Sequence, residues 1–323
     1  MKSLQVTGPG AAVVLDLPIP TPGPGEVLLY IAAVTTCPQW DLHLKHNEPM
    51  FVGHQFHYPY PPGQPGHEAT GTIAAVGDGV TALRVGARVS TWTDPGHRRP
   101  GCYAEYVLLS AGDVIPVRPD LAAEATASVE LAMCVSSSFI MLDEMNALRG
   151  KRIAVSGLGP AGLIAVQLAR AEGAAEVIGL DFSETRRALA ERIGATATYD
   201  PRGEQAAKLP SRSQPGAFDT GIDCVGARAS ISFLTDRTVD VVTIFGVLRE
   251  EVPFGPRHWV GLRLCGYPGP RARAASYAVA QIERGALDLR PLVTHTLPMS
   301  RYLEGVALLE RQEAIKICFD PSQ

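Results

Sequence analysis

The sequence predicts an α/β chain in which a doubly wound parallel sheet is joined to a second, mostly β domain. Three observations carry this. Residues 152–187 run strand, glycine turn, helix, strand, acid, the order of a nucleotide-binding βαβ unit. Beyond Asp181, apolar β-branched runs keep alternating with helical stretches, as parallel sheets require. Residues 1–126, by contrast, break into short β-like runs with Gly and Pro between them. A chain of 323 residues is also long for one core, so two domains are expected.

Taken in order, Val13–Leu17 is a short strand and Pro18–Gly25 is irregular, because proline removes backbone donors. Glu26–Thr35 is a strong strand ending at Thr36-Cys37. Gly71–Val76, Arg88–Thr91 and Tyr103–Leu109 are further strands, with a hairpin-like turn at Val76–Val80. A helical stretch, Ala122–Met145, leads to Gly150 and the strand Arg152–Ser156. Glu184–Ile193, Ala227–Leu234 and Ala272–Arg284 read as helices, and Val177–Leu180, Thr196–Tyr199, Asp219–Val225, Val239–Phe245 and Gly261–Gly266 as strands. Residues 201–216 are a loop or frayed helix. The tail, Leu292–Met299, Arg301–Glu310 and Ile315–Phe319, is strand–helix–strand and is expected to rejoin the first domain. The boundaries are 1–125 with 288–323 for the β domain, and 126–287 for the nucleotide domain.

Composition narrows the function. A formal net charge of −4 gives no electrostatic footprint for nucleic acid or anionic membrane. No apolar stretch is expected to reach the ~18 residues of a membrane span. The N-terminus lacks a signal-peptide core, and the six cysteines form no CxxC pair. A reducing, cytoplasmic setting follows, with a small-molecule substrate.

The turn Gly157-Leu158-Gly159-Pro160-Ala161-Gly162 explains the nucleotide reading. Gly157 allows a tight turn, Gly159 lets a pyrophosphate approach the backbone, and Gly162 lets helix and strand pack closely. The helix start at Pro160 and Ala161 offers free N–H groups to phosphate oxygens. Asp181 stands 19 residues after Gly162, where a carboxylate accepts from ribose hydroxyls and repels a 2′-phosphate. NAD is therefore favoured over NADP, although Arg186 or Arg187 could reach a 2′-phosphate. The alternative is a structural βαβ turn that holds no nucleotide.

A second cluster lies at 37–68. Cys37, Asp41, His43 and the segment Gly66-His67-Glu68 bring together thiolate, imidazole and carboxylate groups. Thiolate and imidazole suit zinc, yet one Cys and one His also serve as ordinary packing residues. His46, His54 and His57 in the Tyr/Pro-rich loop read as solvated or packed.

In this combination the chain resembles the medium-chain dehydrogenase/reductase superfamily, the zinc alcohol and polyol dehydrogenases in particular. Cys37, Gly66-His67-Glu68 with Gly71, Val85-Gly86 with Val89, Tyr103–Val107, the glycine turn with Asp181, and Asp219 with Asp223–Gly226 carry the likeness. The resemblance implies a GroES-like catalytic domain and a Rossmann domain. It implies one catalytic zinc on Cys37, His67 and Glu130, with Cys134 as the rival third ligand. Glu68 is then a neighbouring carboxylate, Asp41 orients the zinc histidine, and His43 relays a proton. It also implies adenosine contacts from Phe182, Arg186 and Val225, a pyrophosphate contact from Lys316, and a homodimer or homotetramer.

Two departures stand out. The family pattern Cys-x-Ser/Thr-Asp-x-His becomes Cys37-Pro38-Gln39-Trp40-Asp41-Leu42-His43, with one extra residue and no relay hydroxyl. The four-cysteine lobe is replaced by 92–102, so no structural zinc is expected. The reading is a zinc-dependent oxidoreductase passing hydride between a nicotinamide and a secondary alcohol or ketone of polyol, sugar or secondary-metabolite type. The alternatives are a zinc-independent enone or quinone reductase of the same fold and a non-catalytic nucleotide-binding protein.

Overall fold

The computed structural model describes residues 1–322, which divide into two compact units. The first comprises 1–131, 278–283 and 288–322 of the described chain; the second comprises 132–277 and 284–287.

The first unit starts with a hairpin of β1 (Lys2–Gly8) and β2 (Ala11–Asp16). Then come β3 (Glu26–Thr35), α1 (Pro38–His46), β4 (Glu68–Val76), β5 (Arg88–Thr91), β6 (Tyr106–Ser110), β7 (Val114–Pro116) and the short α2 (Ala123–Thr126). Strand β3 is the spine: it alternates small and branched apolar residues and pairs antiparallel with both β4 and β6. Its inward side chains, Val27, Leu29, Ile31 and Val34, are essentially unexposed and pack with Ile73, Val89 and Val107. Helix α1 has no sequence counterpart in the reading above, because its PQWDLHLKH segment lacks an apolar stripe. Proline at its first turn, burial of Leu44 and the hydrogen bonds that Tyr103 and Tyr302 donate to Asp41 hold it.

Helix α3 (Val129–Glu144) follows, then β8 (Arg152–Ser156), α4 (Pro160–Ala171), β9 (Glu176–Leu180), α5 (Glu184–Arg192), β10 (Ala197–Tyr199), α6 (Glu204–Ala207), β11 (Phe218–Asp223), α7 (Arg228–Thr235), β12 (Thr238–Ile244), β13 (Arg263–Gly266) and α8 (Ala272–Glu283). The six strands make one parallel sheet in the order β10-β9-β8-β11-β12-β13, the doubly wound arrangement expected. The order reverses beside β8, so the glycine turn after β8 stands at the switch point.

The tail returns to the first unit as β14 (Val293–Pro298), α9 (Tyr302–Glu310) and β15 (Lys316–Asp320). Strand β15 lies between β14 and β3 in a sheet ordered β14-β15-β3-β4-β5-β7.

One expectation is corrected. Residues Ala123–Glu144 form a helical stretch of 22 residues that is long and apolar enough to cross a membrane, by length and composition. Its most apolar window is 83% buried inside the protein, so its hydrophobicity serves the core.

Candidate active site

The first unit gathers the ligand-type residues. Cys37 is the N-cap residue of α1, in extended conformation directly after β3. His67 precedes β4. The glycine before it is obligatory, since a Cβ on Gly66 would lie 2.6 Å from the Tyr103 nitrogen. Glu130 is in the first turn of α3.

His67 is 5% exposed, and its Nδ1–H donates to the Pro65 carbonyl at 2.8 Å. A carbonyl can only accept, so this bond fixes the tautomer and leaves the Nε2 lone pair for a ligand. Donor atoms of Cys37, His67 and Glu68 lie within 4.8 Å of one another. Glu130 Oε2 stands 3.7 Å from His67 Nε2, too long for a hydrogen bond but close enough to share a cation. Burial opposes charging His67, yet the Cys37 sulfur and the Glu130 and Asp94 carboxylates outweigh it and raise its pKa well above the ordinary value. A half-buried thiol, a buried imidazole nitrogen and buried carboxylates in this arrangement form a donor set that suits a divalent zinc-type cation, which would displace the proton that the His67 ring otherwise holds.

The surrounding groups are arranged differently from the resemblance. Asp41 is fully buried, and its carboxylate accepts from Tyr302 Oη at 2.8 Å and from Tyr103 Oη at 3.0 and 3.1 Å. Pro65, not Asp41, therefore orients His67. Burial raises the Asp41 pKa to about 6, against the two tyrosine hydrogen bonds that lower it. Glu68 Oε2 accepts from Lys316 Nζ at 2.6 Å, and Lys316 also donates to the Thr36 carbonyl at 2.5 Å. Lys316 is wholly buried in this pair. His43 lies in the last turn of α1, its Nδ1 3.1 Å from the Glu48 carbonyl.

The replacement segment 92–102 brings a further group that the sequence reading left out. Asp94 and His97 share with His67 a second set of ligand-type atoms within 4.8 Å of one another. His97 Nε2 donates to Asp94 Oδ2 at 3.2 Å, and its Nδ1 is 2.9 Å from the Tyr60 hydroxyl. Trp40 stacks on the His97 ring at 3.8 Å between centroids. Burial pushes the Asp94 carboxyl up, but the His97 hydrogen bond, the His67 charge and the Gly96 N–H hold it well below the usual carboxylate range. The Asp-x-x-His spacing within the short segment was the available signal.

In the second unit the glycine turn behaves as its sequence implies. A Cβ on Gly162 would lie 1.8 Å from the Gly157 carbonyl oxygen, whereas one on Gly159 would meet nothing within 4 Å. Gly159 thus opens the turn to solvent, beside the helix start at Pro160 and Ala161. Asp181 accepts the Leu158 N–H at 2.7 Å and the Ser183 N–H at 2.8 Å, fixing the acid against the turn. Arg187 donates to the Asp181 and Phe182 carbonyls, while Arg186 Nε is buried with no partner. Phe182 and Val225 are exposed apolar side chains in the same unit. Cys134, the rival ligand, belongs to the second unit, while Glu130 belongs to the first.

A glycine turn with its acid in the second unit, and a Cys–His–carboxylate cluster in the first, are the parts a metal-dependent, nucleotide-linked oxidoreductase needs. The comparisons with known proteins agree. The profile of the Alcohol dehydrogenase GroES-like domain matches residues 23–119, and that of the Zinc-binding dehydrogenase matches 160–264. An L-threonine 3-dehydrogenase from Symbiobacterium thermophilum is 29% identical over 350 residues, covering 97% of this chain and 95% of the relative. One from Rhizobium rhizogenes is 24% identical, covering 99% and 98%. Among solved structures, an NADP-bound chain assigned to the zinc-binding dehydrogenases, from Sinorhizobium meliloti, superposes with a TM-score of 0.85 at 27% identity over 99% of each chain. The 2R,3R-butanediol dehydrogenase of Bacillus subtilis has the same fold, with a TM-score of 0.85 at 22% identity over 99% of each chain. The chain belongs to the zinc-dependent medium-chain dehydrogenase/reductase superfamily. It is an NAD(P)-dependent dehydrogenase with a GroES-like unit and a Rossmann unit.

Proposed function

We propose that this dehydrogenase oxidises a functionalised secondary alcohol, or reduces the matching ketone, using one zinc held by Cys37, His67 and Glu130. The observation that carries this is the His67 ring, whose Nδ1–H is committed to Pro65 while Nε2 faces thiol and carboxylate. Bound there, zinc would supply Lewis-acid polarisation of the substrate oxygen. A nicotinamide would supply the hydride acceptor or donor.

The chain's own groups do the rest. Cys37 and Glu130 provide negative charge that balances the cation. Lys316 occupies Glu68 and keeps that carboxylate beside the set as a neighbour instead of a ligand. His43, half-buried near the end of α1, is proposed to pass a proton toward solvent. The nucleotide is held by Gly157, Gly159, Pro160, Ala161 and Gly162 at its phosphates and by Asp181 at its ribose. Phe182 and Val225 supply apolar surface for adenine. Asp181 supports NAD as the cofactor. The unpartnered Arg186 Nε supports NADP as the second reading, and the Sinorhizobium relative binds NADP. Lys316 is proposed to act on Glu68 and not on a pyrophosphate. The secondary-alcohol class is supported by the relatives, which act on L-threonine and butanediol. The working oligomer is proposed to be a homodimer or homotetramer.

The test is metal content by elemental analysis of wild type and Cys37→Ala, purified without added zinc. About one zinc per chain, lost in the variant, supports the proposal. No zinc in wild type, even after reconstitution, would return the enone-reductase reading.

A further inference from the structure

Segment 92–102 stands where the resemblance has a four-cysteine lobe, and it carries ligand-type side chains of another kind. One donor atom each from His67, Asp94 and His97 lies within 4.8 Å of the other two. Cys37, His67 and Glu68 meet the same limit, so His67 is common to both groups. A neutral imidazole has one lone pair, so His67 serves one cation at a time. The groups are therefore alternative stations for a single ion.

The second group has the spacing of a ligand set. Ligands about 2.1 Å from a tetrahedral zinc stand about 3.4 Å from one another. His97 Nε2 and Asp94 Oδ2 are 3.2 Å apart. That spacing serves a hydrogen bond, and a cation between the two atoms takes the place of its proton. Neighbouring groups hold both ligands. The Tyr60 hydroxyl stands 2.9 Å from His97 Nδ1, where a hydroxyl accepts a proton as readily as it donates one. His97 thus keeps a supporting partner while Nε2 ligates, as metal-bound histidines do. Trp40 packs on the His97 ring, and the Gly96 N–H donates to Asp94 Oδ1 at 2.8 Å. Gln64 ties the segment down by donating to the Gly96 and Arg99 carbonyls at 3.3 and 3.0 Å.

The donor types rank the stations. His67, Asp94 and His97 bring one negative charge and no sulfur, whereas Cys37 and Glu130 bring two negative charges to His67. The second station is therefore the weaker. It is also the more open at its carboxylate, since the Asp94 side chain is 23% exposed and that of Glu130 11%.

We infer that His67, Asp94 and His97 form a second, thiolate-free station for a divalent transition cation such as zinc, which the ion occupies when Cys37 does not hold it. This takes the Cys37–His67–Glu130 zinc of the dehydrogenase reading above as the first station.

The test is cobalt(II) titration of the chelator-stripped full chain, followed by absorbance. A cobalt–thiolate bond adds a near-ultraviolet charge-transfer band that imidazole and carboxylate ligands do not give. Wild type should show that band at about one cobalt per chain. Cys37→Ala should still bind about one cobalt, more weakly and without the band. Adding His97→Ala or Asp94→Asn to Cys37→Ala should weaken cobalt binding at least about 10-fold, since loss of even a supporting partner costs that much. His97→Ala with Cys37 intact should keep the thiolate band and near wild-type affinity, which also shows that the variant folds. No cobalt binding in Cys37→Ala, or binding there that is indifferent to His97 and Asp94, overturns the inference and leaves the dehydrogenase reading intact. Loss of the thiolate band in His97→Ala overturns it too, because His97 would then be propping the first station. Wild type that binds cobalt without a thiolate band, in a His97-dependent way, overturns the Cys37 reading and supports the second station. No cobalt binding by any form overturns both.

Discussion

Lys316→Met tests the least expected contact in the site. The Lys316 ammonium and Glu68 carboxylate are 2.6 Å apart, with side-chain exposures of 0% and 1%. At an effective dielectric of about 20, unit charges at that distance attract by about 6 kcal/mol. Desolvation of both ions offsets most of this, so the intact pair adds little to net stability. Removing one partner is different, because the remaining charge stays buried. Lys316→Met is expected to destabilise the first unit by about 3–5 kcal/mol. The double variant Glu68→Gln/Lys316→Met removes that orphan charge but leaves the Thr36 carbonyl without its donor, so about 1–3 kcal/mol of the loss should persist. The assay is urea unfolding by tryptophan fluorescence, since Trp40 and Trp92 lie in the first unit and Trp259 in the second. A single variant costing less than about 1 kcal/mol, or a double variant no better than the single, refutes the reasoning. Weakened nucleotide binding at wild-type stability would instead restore the pyrophosphate role.

Three other outcomes are expected. The Asp41 pKa is raised to about 6, so the folded protein holds that proton more tightly than the unfolded chain. The stabilisation is full below about pH 4 and is lost as pH rises through about 6. Asp41→Asn should therefore be more stable than wild type by up to about 3 kcal/mol at pH 8, with the gap closing toward pH 4; parallel Tm-against-pH curves would count against this. Gly162→Ala should destabilise strongly, because its Cβ meets a carbonyl at 1.8 Å, while Gly159→Ala should stay within about 0.5 kcal/mol of wild type and yet bind nucleotide more weakly. Calorimetric unfolding and nucleotide titration separate the two. Gly66→Ala should displace His67 and lower zinc content, as its Cβ meets the Tyr103 nitrogen at 2.6 Å; unchanged metal content would contradict that account.

The parts of the fold legible in the sequence are those governed by local physics. Arg152–Ser156 and Arg88–Thr91 were readable to the residue, because branched apolar runs bounded by glycine leave little choice. The glycine turn was readable because each glycine answers a contact within the same βαβ unit. Helix α1 was not, since it is held by burial of Leu44 and by tyrosine hydrogen bonds to Asp41 from distant elements, not by periodicity. The site shows the same divide. Cys37 and His67 were legible as types suited to zinc. That Pro65 holds His67, that two tyrosines take Asp41, and that Lys316 meets Glu68 are facts of pairing across 2, 62, 261 and 248 positions in the chain. Only the resemblance pointed to Glu130, and nothing in it pointed to Asp94.

Strand β15 has an implication for how the protein is made. It inserts between β14 and β3, and its first residue neutralises Glu68. A ribosome reaches residue 316 only after it has delivered the whole second unit. Until then the nascent first unit has an open edge on β3 and a carboxylate without its counter-charge. Vectorial synthesis should therefore let the second unit mature first, with the first unit sealed last.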